Sequence, residues 1–325
     1  MPAPFPRPPV VIDTVFDDPG LVRTLIERHA PYWPVQRYFA NAEEQRALSA
    51  STRQPVVGPV FRGDWAYDRP LVDGVEPILE NARFADAARR AFGAAIVRPY
   101  VVYVNLSLPM PCGDSGHTDV PAFRGIDRTA YPVWLLVTMG RSGLFERWRV
   151  RIATAVAWFY SGRGGEFTYW PQGPDRPPVV RAMETNTAVL GDNDVMFHRV
   201  EAIGGPDDDM VRGLTLDSEL CFAGGSAWEV VDRARILTRR PFEDIRISVS
   251  WKGYVFRDDD EARRVAEHTD DLTFDDVLAA LLADLASRGI AVERPDDPLH
   301  DPGFVATLAA AYRQSPSVYP WGRAA

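Results

Sequence analysis

Gly116-His117-Thr118-Asp119 sets an imidazole and a carboxylate two residues apart. In an extended chain alternate side chains share a face, so both can approach one metal ion. A third ligand must come from elsewhere. The candidate is His198 in Met196-Phe197-His198-Arg199-Val200, on an expected strand. Two imidazoles and one carboxylate on one face of a metal leave the opposite positions open, which suits non-haem Fe(II). Each piece alone is weak: His-X-Asp is a short pattern, and a lone histidine is more often packed and hydrogen-bonded than a ligand.

Further along, Arg246-Ile247-Ser248-Val249-Ser250-Trp251 puts Arg246 and Ser248 on one face of an otherwise apolar strand. A guanidinium turned into a protein interior needs an anion. Its fork, with a hydroxyl two residues on, matches a carboxylate. Facing a metal, the pair would anchor the far carboxylate of a dicarboxylic acid. The plain alternative is an outward, solvated Arg246. Gly162-Arg163-Gly164-Gly165-Glu166-Phe167 reads as a hairpin turn.

These residues need a scaffold, and the sequence supplies strands. Ile96–Leu108, Trp148–Ile152, Ala155–Tyr160, Thr187–Leu190, Val195–Phe197, Trp228–Val231 and Arg246–Phe256 are strand candidates separated by Gly/Pro turns. Without helices alternating between them, they predict an antiparallel sandwich or barrel. The class is mainly β with flanking helices. Val10–Ile12 reads as a short buried strand, and 40–75 as loops with short elements. Helices are expected over 19–30 and 80–92, the second stopped by Gly93. Past Phe256 the pattern turns helical again, with 258–268 charged and solvated. Thr273-Phe274-Asp275-Asp276 resembles a capping box before an apolar stripe, and Asp301-Pro302 opens a last helix. Residues 1–95 then form an N-terminal helical and loop cover, 96–256 the β core and 257–325 a C-terminal helical cover, in one compact unit.

The 325 residues carry a net charge of −9, with 36 Lys+Arg against 45 Asp+Glu, which argues against a phosphate-backbone footprint. No apolar run approaches the ~20 residues that span a bilayer. The first residues lack an apolar signal core, so export is not expected. Two cysteines, Cys112 and Cys221, are too few for a disulfide framework. A cytoplasmic location follows as an expectation, and nothing in the sequence speaks to oligomeric state.

His117-Thr118-Asp119, Gly164-Gly165-Glu166-Phe167, His198-Arg199-Val200 and Arg246-Ile247-Ser248-Val249-Ser250-Trp251, in that order, resemble the iron(II)/2-oxoglutarate-dependent dioxygenases, prolyl-hydroxylase-like branch. The resemblance spans about residues 96–256. It implies a double-stranded β-helix (jelly-roll, cupin-like) core, with His117, Asp119 and His198 as iron ligands. It also implies that Arg246 and Ser248 hold the distal carboxylate of 2-oxoglutarate, with Trp251 lining the pocket. The implied cofactors are Fe(II), 2-oxoglutarate and O2. The implied reaction is hydroxylation of a C–H bond, with succinate and CO2 released, and desaturation or ring closure open on the same iron. One departure stands out: Arg246 follows His198 at a longer interval than the family's arginine usually does. Arg212 has the more usual spacing, but its surroundings match the pattern less fully. Preferring Arg246 implies an insertion over about 204–240, expected as an extra hairpin beside the site.

The substrate is expected to be a small molecule or amino-acid-like compound. Phe123, Trp134, Trp158 and Tyr169 are candidates to shape its pocket, and Arg124 and Arg163 to meet an acidic group; core or surface roles are the ordinary alternatives. Two rival readings use the same residues. One is a zinc hydrolase with the His/Asp/His set. The other is a non-catalytic β-sandwich that binds a small ligand, in which the three side chains would not converge.

Overall fold

The computed structural model describes residues 6–38, 57–173 and 175–312. In chain order its first strands are β1 (Val10–Ile12), β2 (Trp33–Pro34), β3 (Val60–Tyr67), β4 (Ile96–Ser107), β5 (Ala122–Phe123), β6 (Arg149–Val150) and β7 (Ile152–Phe159). Then come β8 (Phe167–Tyr169), β9 (Val179–Arg181), β10 (Thr187–Gly191), β11 (His198–Val200), β12 (Glu219–Gly224), β13 (Ala227–Asp232), β14 (Arg235–Pro241) and β15 (Arg246–Phe256). The helices are α1 (Gly20–Arg28), α2 (Glu76–Leu79), α3 (Ala82–Phe92), α4 (Val133–Ser142), α5 (Asp259–Glu267), α6 (Phe274–Ser287) and α7 (Pro302–Ala311). The protein is mostly sheet with several helices.

The central element is a seven-stranded antiparallel sheet in the order β1-β10-β7-β15-β4-β3-β2. Side-chain alternation divides its work. Val102, Val104 and Leu106 of β4, Ala153, Ala155 and Ala157 of β7, and Ile247, Val249 and Trp251 of β15 enter the main core. There they meet Phe84, Ala87, Ala88 and Phe92 of α3 and Val22, Leu25 and Ile26 of α1. Asn81 starts α3 by accepting from the Arg83 and Phe84 amides, and Gly93 ends it in the left-handed region. The opposite face carries Arg246, Ser248, Ser250 and Lys252 of β15. On their neighbours, Ser107, Asn105 and Tyr103 of β4 and Trp158, Val156 and Thr154 of β7 stand in register with them. A three-stranded sheet, β11-β8-β9, covers part of this face, with Phe167 and Tyr169 packed on Trp158, Val189 and Met196.

A second apolar cluster is separate from the main core. There α4, α6 and α7 pack together with Phe123 and Ile126. The expected capping box at Thr273 is formed, with Asp276 as its reciprocal partner. Arg124, buried, pairs with Asp270 at 2.7 Å and donates to the Arg147 carbonyl, so the segment just after Asp119 is tied to this helical cover.

Several expectations change. The 40–75 stretch, read as loops with short elements, holds the eight-residue strand β3, whose apolar residues Phe61, Trp65 and Ala66 are spaced irregularly around a register shift between Asp64 and Ala66. Residues 40–56 of that stretch lie outside the described residues. With β1, β2 and β3 all joined to the main sheet, residues before 96 contribute strands as well as cover. Helix α4 interrupts the β region, whereas the helical pattern read past Phe256 holds, the charged 258–268 stretch being largely the helix α5. The insertion is a three-stranded meander, β12-β13-β14, rather than a hairpin. It packs Leu220, Trp228 and Val230 into the main core and bridges Tyr32 beside β2. Trp251 does not line a pocket. It points to the core face, stacks on Phe84 at 5.4 Å and donates its indole N–H to the Leu79 carbonyl at 2.8 Å.

Truncation of Trp251 tests this placement. Trp251→Ala is expected to lose about 3–5 kcal/mol of unfolding free energy in urea titration, as for a large aromatic removed from a close-packed core.

Candidate metal centre

Two histidines far apart in sequence are brought together by one antiparallel bridge. The His117 amide donates to the His198 carbonyl at 2.9 Å, and the His198 amide returns a bond to the His117 carbonyl at 3.0 Å. Directly opposed residues present their side chains on the same face, and here the ring centroids are 4.6 Å apart. Gly116, at φ +78°, makes the approach possible: a Cβ there would fall 2.5 Å from Phe197 Cζ. Asp114 clamps the bridge from one side, its carboxylate accepting from the Gly116 and Val200 amides at 2.7 and 3.1 Å.

Asp119 follows two residues on, its amide held by the Asn193 carbonyl at 2.8 Å. His117 is a bridge residue and Asp119 lies in irregular chain beyond it, yet the carboxylate still reaches the histidines. Asp119 Oδ1 lies 3.9 Å from His117 Nε2 and 3.7 Å from His198 Nε2. One ligand atom from each residue can be chosen such that all three lie within 4.8 Å of one another. Among the described residues this is the one group of three or more metal-ligating side chains so placed.

The protonation pattern suits a cation. His198 Nδ1 lies 2.9 Å from the Met196 carbonyl, an acceptor, so Nδ1 carries the hydrogen and Nε2 presents a lone pair. Burial, and then the neighbouring His117, lower the pKa of His198 and favour the neutral ring. Asp119 is buried, which alone would favour its acid form, but Lys252 and the two histidines together hold it well below the usual carboxylate range. Lys252 Nζ donates to Asp119 Oδ2 at 2.7 Å, and Thr154 Oγ1 adds a longer bond at 3.4 Å to the same oxygen. His117 is the solvent side of the cluster, with 57% of its side chain exposed against 7% for His198.

Arg246 and Ser248 lie on the same sheet face and are buried. Arg246 Nε donates to the Gly165 carbonyl at 2.7 Å, and Nη2 meets Met183 Sδ at 3.5 Å. Gly165 belongs to the turn singled out in the sequence; a Cβ on it would sit 2.6 Å from Arg246 Cδ, so the turn must be glycine for the guanidinium to pass. No carboxylate among the described residues forms an ion pair with Arg246, and burial pushes its pKa down to about 10. Ser248 stands in register between Asn105 and Trp158. The Trp158 indole N–H and the Asn105 side-chain oxygen are both buried without a hydrogen-bond partner. The rival Arg212 is exposed, in irregular chain.

Of the pocket candidates, Trp158 faces the site, and Tyr169 packs in the small sheet that covers it. Phe123 and Trp134 belong to the helical cluster. Arg124 is committed to Asp270, and Arg163 is exposed on its turn. Sequence reasoning passed over Lys252 and Asp114. Lys252 had a signal, since it continues the period-two series 246, 248, 250, 252; Asp114 carries no pattern that marks it before the bridge is known.

Beside the triad, the turn after β10 buries two further acids. Both carboxyl oxygens of Asp194 lack partners, and burial raises its pKa well above the ordinary value. Burial raises that of Asp192 to about 6, against the opposing pull of Arg149.

No protein-family model and no curated protein matches the chain. Among solved structures, the chain is similar to a 2OG-Fe(II) oxygenase family oxidoreductase from Burkholderia pseudomallei, with 16% identity, a TM-score of 0.41, and 77% of this chain and 86% of that one covered. A Trichoplax adhaerens prolyl hydroxylase, in complex with a hypoxia inducible factor oxygen degradation domain peptide fragment, matches at 8% identity and a TM-score of 0.39, covering 80% and 87%. A Pseudomonas putida prolyl-4-hydroxylase matches at 12% identity and a TM-score of 0.37, covering 78% and 94%. No helix among the described residues is long and apolar enough to cross a membrane.

The Asp192 shift has a definite sign. A carboxyl raised from 3.8 to about 6 holds its proton in the folded state after the unfolded chain has released it. Its contribution is therefore full below pH ~4 and is lost as pH rises to ~6. Asp192→Asn, which mimics the neutral acid, is expected to match wild type at pH 4 and to exceed it by about 1–3 kcal/mol at pH 8, measured by denaturant titration.

Proposed function

We propose that this protein is an Fe(II)/2-oxoglutarate-dependent oxygenase, with His117, Asp119 and His198 as iron ligands and Arg246 with Ser248 anchoring the far carboxylate of 2-oxoglutarate. The observation that carries this reading is one sheet face shared by a three-ligand cluster and a buried arginine that lacks a carboxylate partner. The main sheet and the smaller β11-β8-β9 sheet packed across it are read as a double-stranded β-helix, or jelly roll.

The residues fit both groups. Ligand atoms within 4.8 Å of one another are compatible with bonds of about 2.0–2.2 Å to a common ion. The donor set, two imidazoles and a carboxylate, is the one favoured by non-haem Fe(II) with open positions. For the co-substrate, the unpartnered Trp158 N–H stands in register with Ser248, two residues along β15 from Arg246. A carboxylate there would satisfy a donor that the protein leaves unmet.

When bound, Fe(II), 2-oxoglutarate and O2 supply the means to hydroxylate a C–H bond, with succinate and CO2 released. The chain's part is placement. The reciprocal histidine bridge sets the separation of the two imidazoles. Met196 fixes the His198 tautomer. Arg246 and Ser248 aim the dicarboxylate along the sheet, and the buried Phe167 ring, its centroid 5.6 Å from that of Trp158 and 5.4 Å from that of His198, gives the site an apolar wall. Exposed His117 marks the side from which a small-molecule or amino-acid-like substrate reaches the metal. A zinc hydrolase built on the same triad leaves the buried Arg246 and the Trp158 N–H without a task.

Anaerobic titration with Fe(II) and then 2-oxoglutarate tests the reading through the weak visible charge-transfer band of the ternary complex. Wild type is expected to develop it and His198→Ala to lack it. Arg246→Ala should need about 10- to 100-fold more 2-oxoglutarate, the loss expected for charge-assisted hydrogen bonds, while Arg212→Ala titrates as wild type. Zinc retained in place of iron, or no metal bound at all, would sink the proposal.

A further inference from the structure

We infer that Lys252 is a positioning residue for the metal centre: its ammonium occupies Asp119 Oδ2 and leaves Oδ1 alone to face the two imidazoles. The inference rests on the triad's being a metal centre and adds a residue that the triad does not contain. Three observations support it. The two oxygens of Asp119 have separate surroundings, Oδ1 toward His117 and His198 Nε2, Oδ2 toward Lys252 at 2.7 Å and Thr154 at 3.4 Å. Both partners are shielded, with 13% of the Lys252 side chain and 12% of the Asp119 side chain exposed, so the contact is not a surface pair that salt dissolves. Lys252 also reaches the site from the same face of β15 as Arg246, which makes its position a property of the sheet rather than of a loop.

A carboxylate offered to a dication with both oxygens free can bind through one or both. With Oδ2 held by two donors, two-point binding would require a charge-assisted hydrogen bond to break. Asp119 is thereby restricted to one coordination position, and the positions a bidentate carboxylate would cover stay open to other ligands. The same contact keeps Asp119 aimed before any ion arrives. Without it, a buried carboxylate with no cation would turn toward water or take a proton. The neighbouring Asp194, whose oxygens are unpartnered, is not the lysine's hydrogen-bonding choice.

Co(II) serves as the probe, titrated into the full-length protein while its ligand-field absorption is recorded. Lys252→Met is expected to bind Co(II) about 10- to 100-fold more weakly, the range for loss of a group that orients a ligand, with an altered spectrum. Lys252→Arg, which keeps a charged donor toward Oδ2, should restore most of the affinity. A thermal melt of each metal-free variant separates this effect from loss of folding. If Lys252→Met has no cooperative melt, Lys252→Gln, with an uncharged N–H, carries the comparison and should still bind more weakly than wild type. A folded Lys252→Met or Lys252→Gln with wild-type affinity and spectrum overturns the role of Lys252 and leaves the metal centre standing. Wild type that binds no Co(II), or binds it equally well as His198→Ala, overturns the metal centre and this inference with it.

Discussion

The pair of backbone hydrogen bonds between His117 and His198 is the constraint on which the rest of the site depends. It joins a loop that leaves the main sheet after β4 to the first residue of β11 in the small sheet, and it forces two imidazoles onto one face. Asp114 reinforces it from the loop side and Gly116 lets the chains close. Asp119 then needs only two residues of chain and a bond to Asn193 to complete the set. The convergence of three potential metal ligands is a by-product of sheet register, fixed before any ion is considered.

Strand β15 carries the second constraint. Its apolar residues Ile247, Val249 and Trp251 are sealed in the main core, so the strand can neither slip nor rotate without moving every one of them. Arg246, Ser248, Ser250 and Lys252 on its other face inherit that rigidity. The distance between the two charged ends is set by the pitch of one strand, and the small sheet that covers it contributes His198 and aromatic walls.

Much of the site was legible in the residues themselves. The His-X-Asp spacing, the distant histidine and the Arg-X-Ser alternation each announce a chemistry, and Arg246 and Ser248 lie on a strand whose β character follows from its Ile, Val and Tyr content. Trp251 was misread because period two was not applied consistently: an odd-numbered neighbour of Arg246 and Ser248 must point the other way. Lys252 was missed for the same reason, as the even member one step further. Helix α4 and the meander β12-β13-β14 were hidden for a different cause. Their stability comes from burial against distant partners, Leu278 and Leu308 for the first and Tyr32 for the second, which no local window contains. Strand β3 is irregular around its bulge, and irregular strands lose the alternation that reveals them.

The Lys252–Asp119 contact also sets the electrical character of the cleft. With the carboxylate already matched by an ammonium, the Asp119–Lys252 pair brings no net charge of its own, so a divalent ion seated there would keep both of its positive charges. Arg246 adds another at the far end of the same face. A protein whose chain carries −9 overall would thus enclose a local well of the opposite sign. Field lines focus in a shielded cleft of this kind. Anions that the acidic exterior repels would gain most by being long enough to touch both ends, and a short monoanion would leave one end uncompensated.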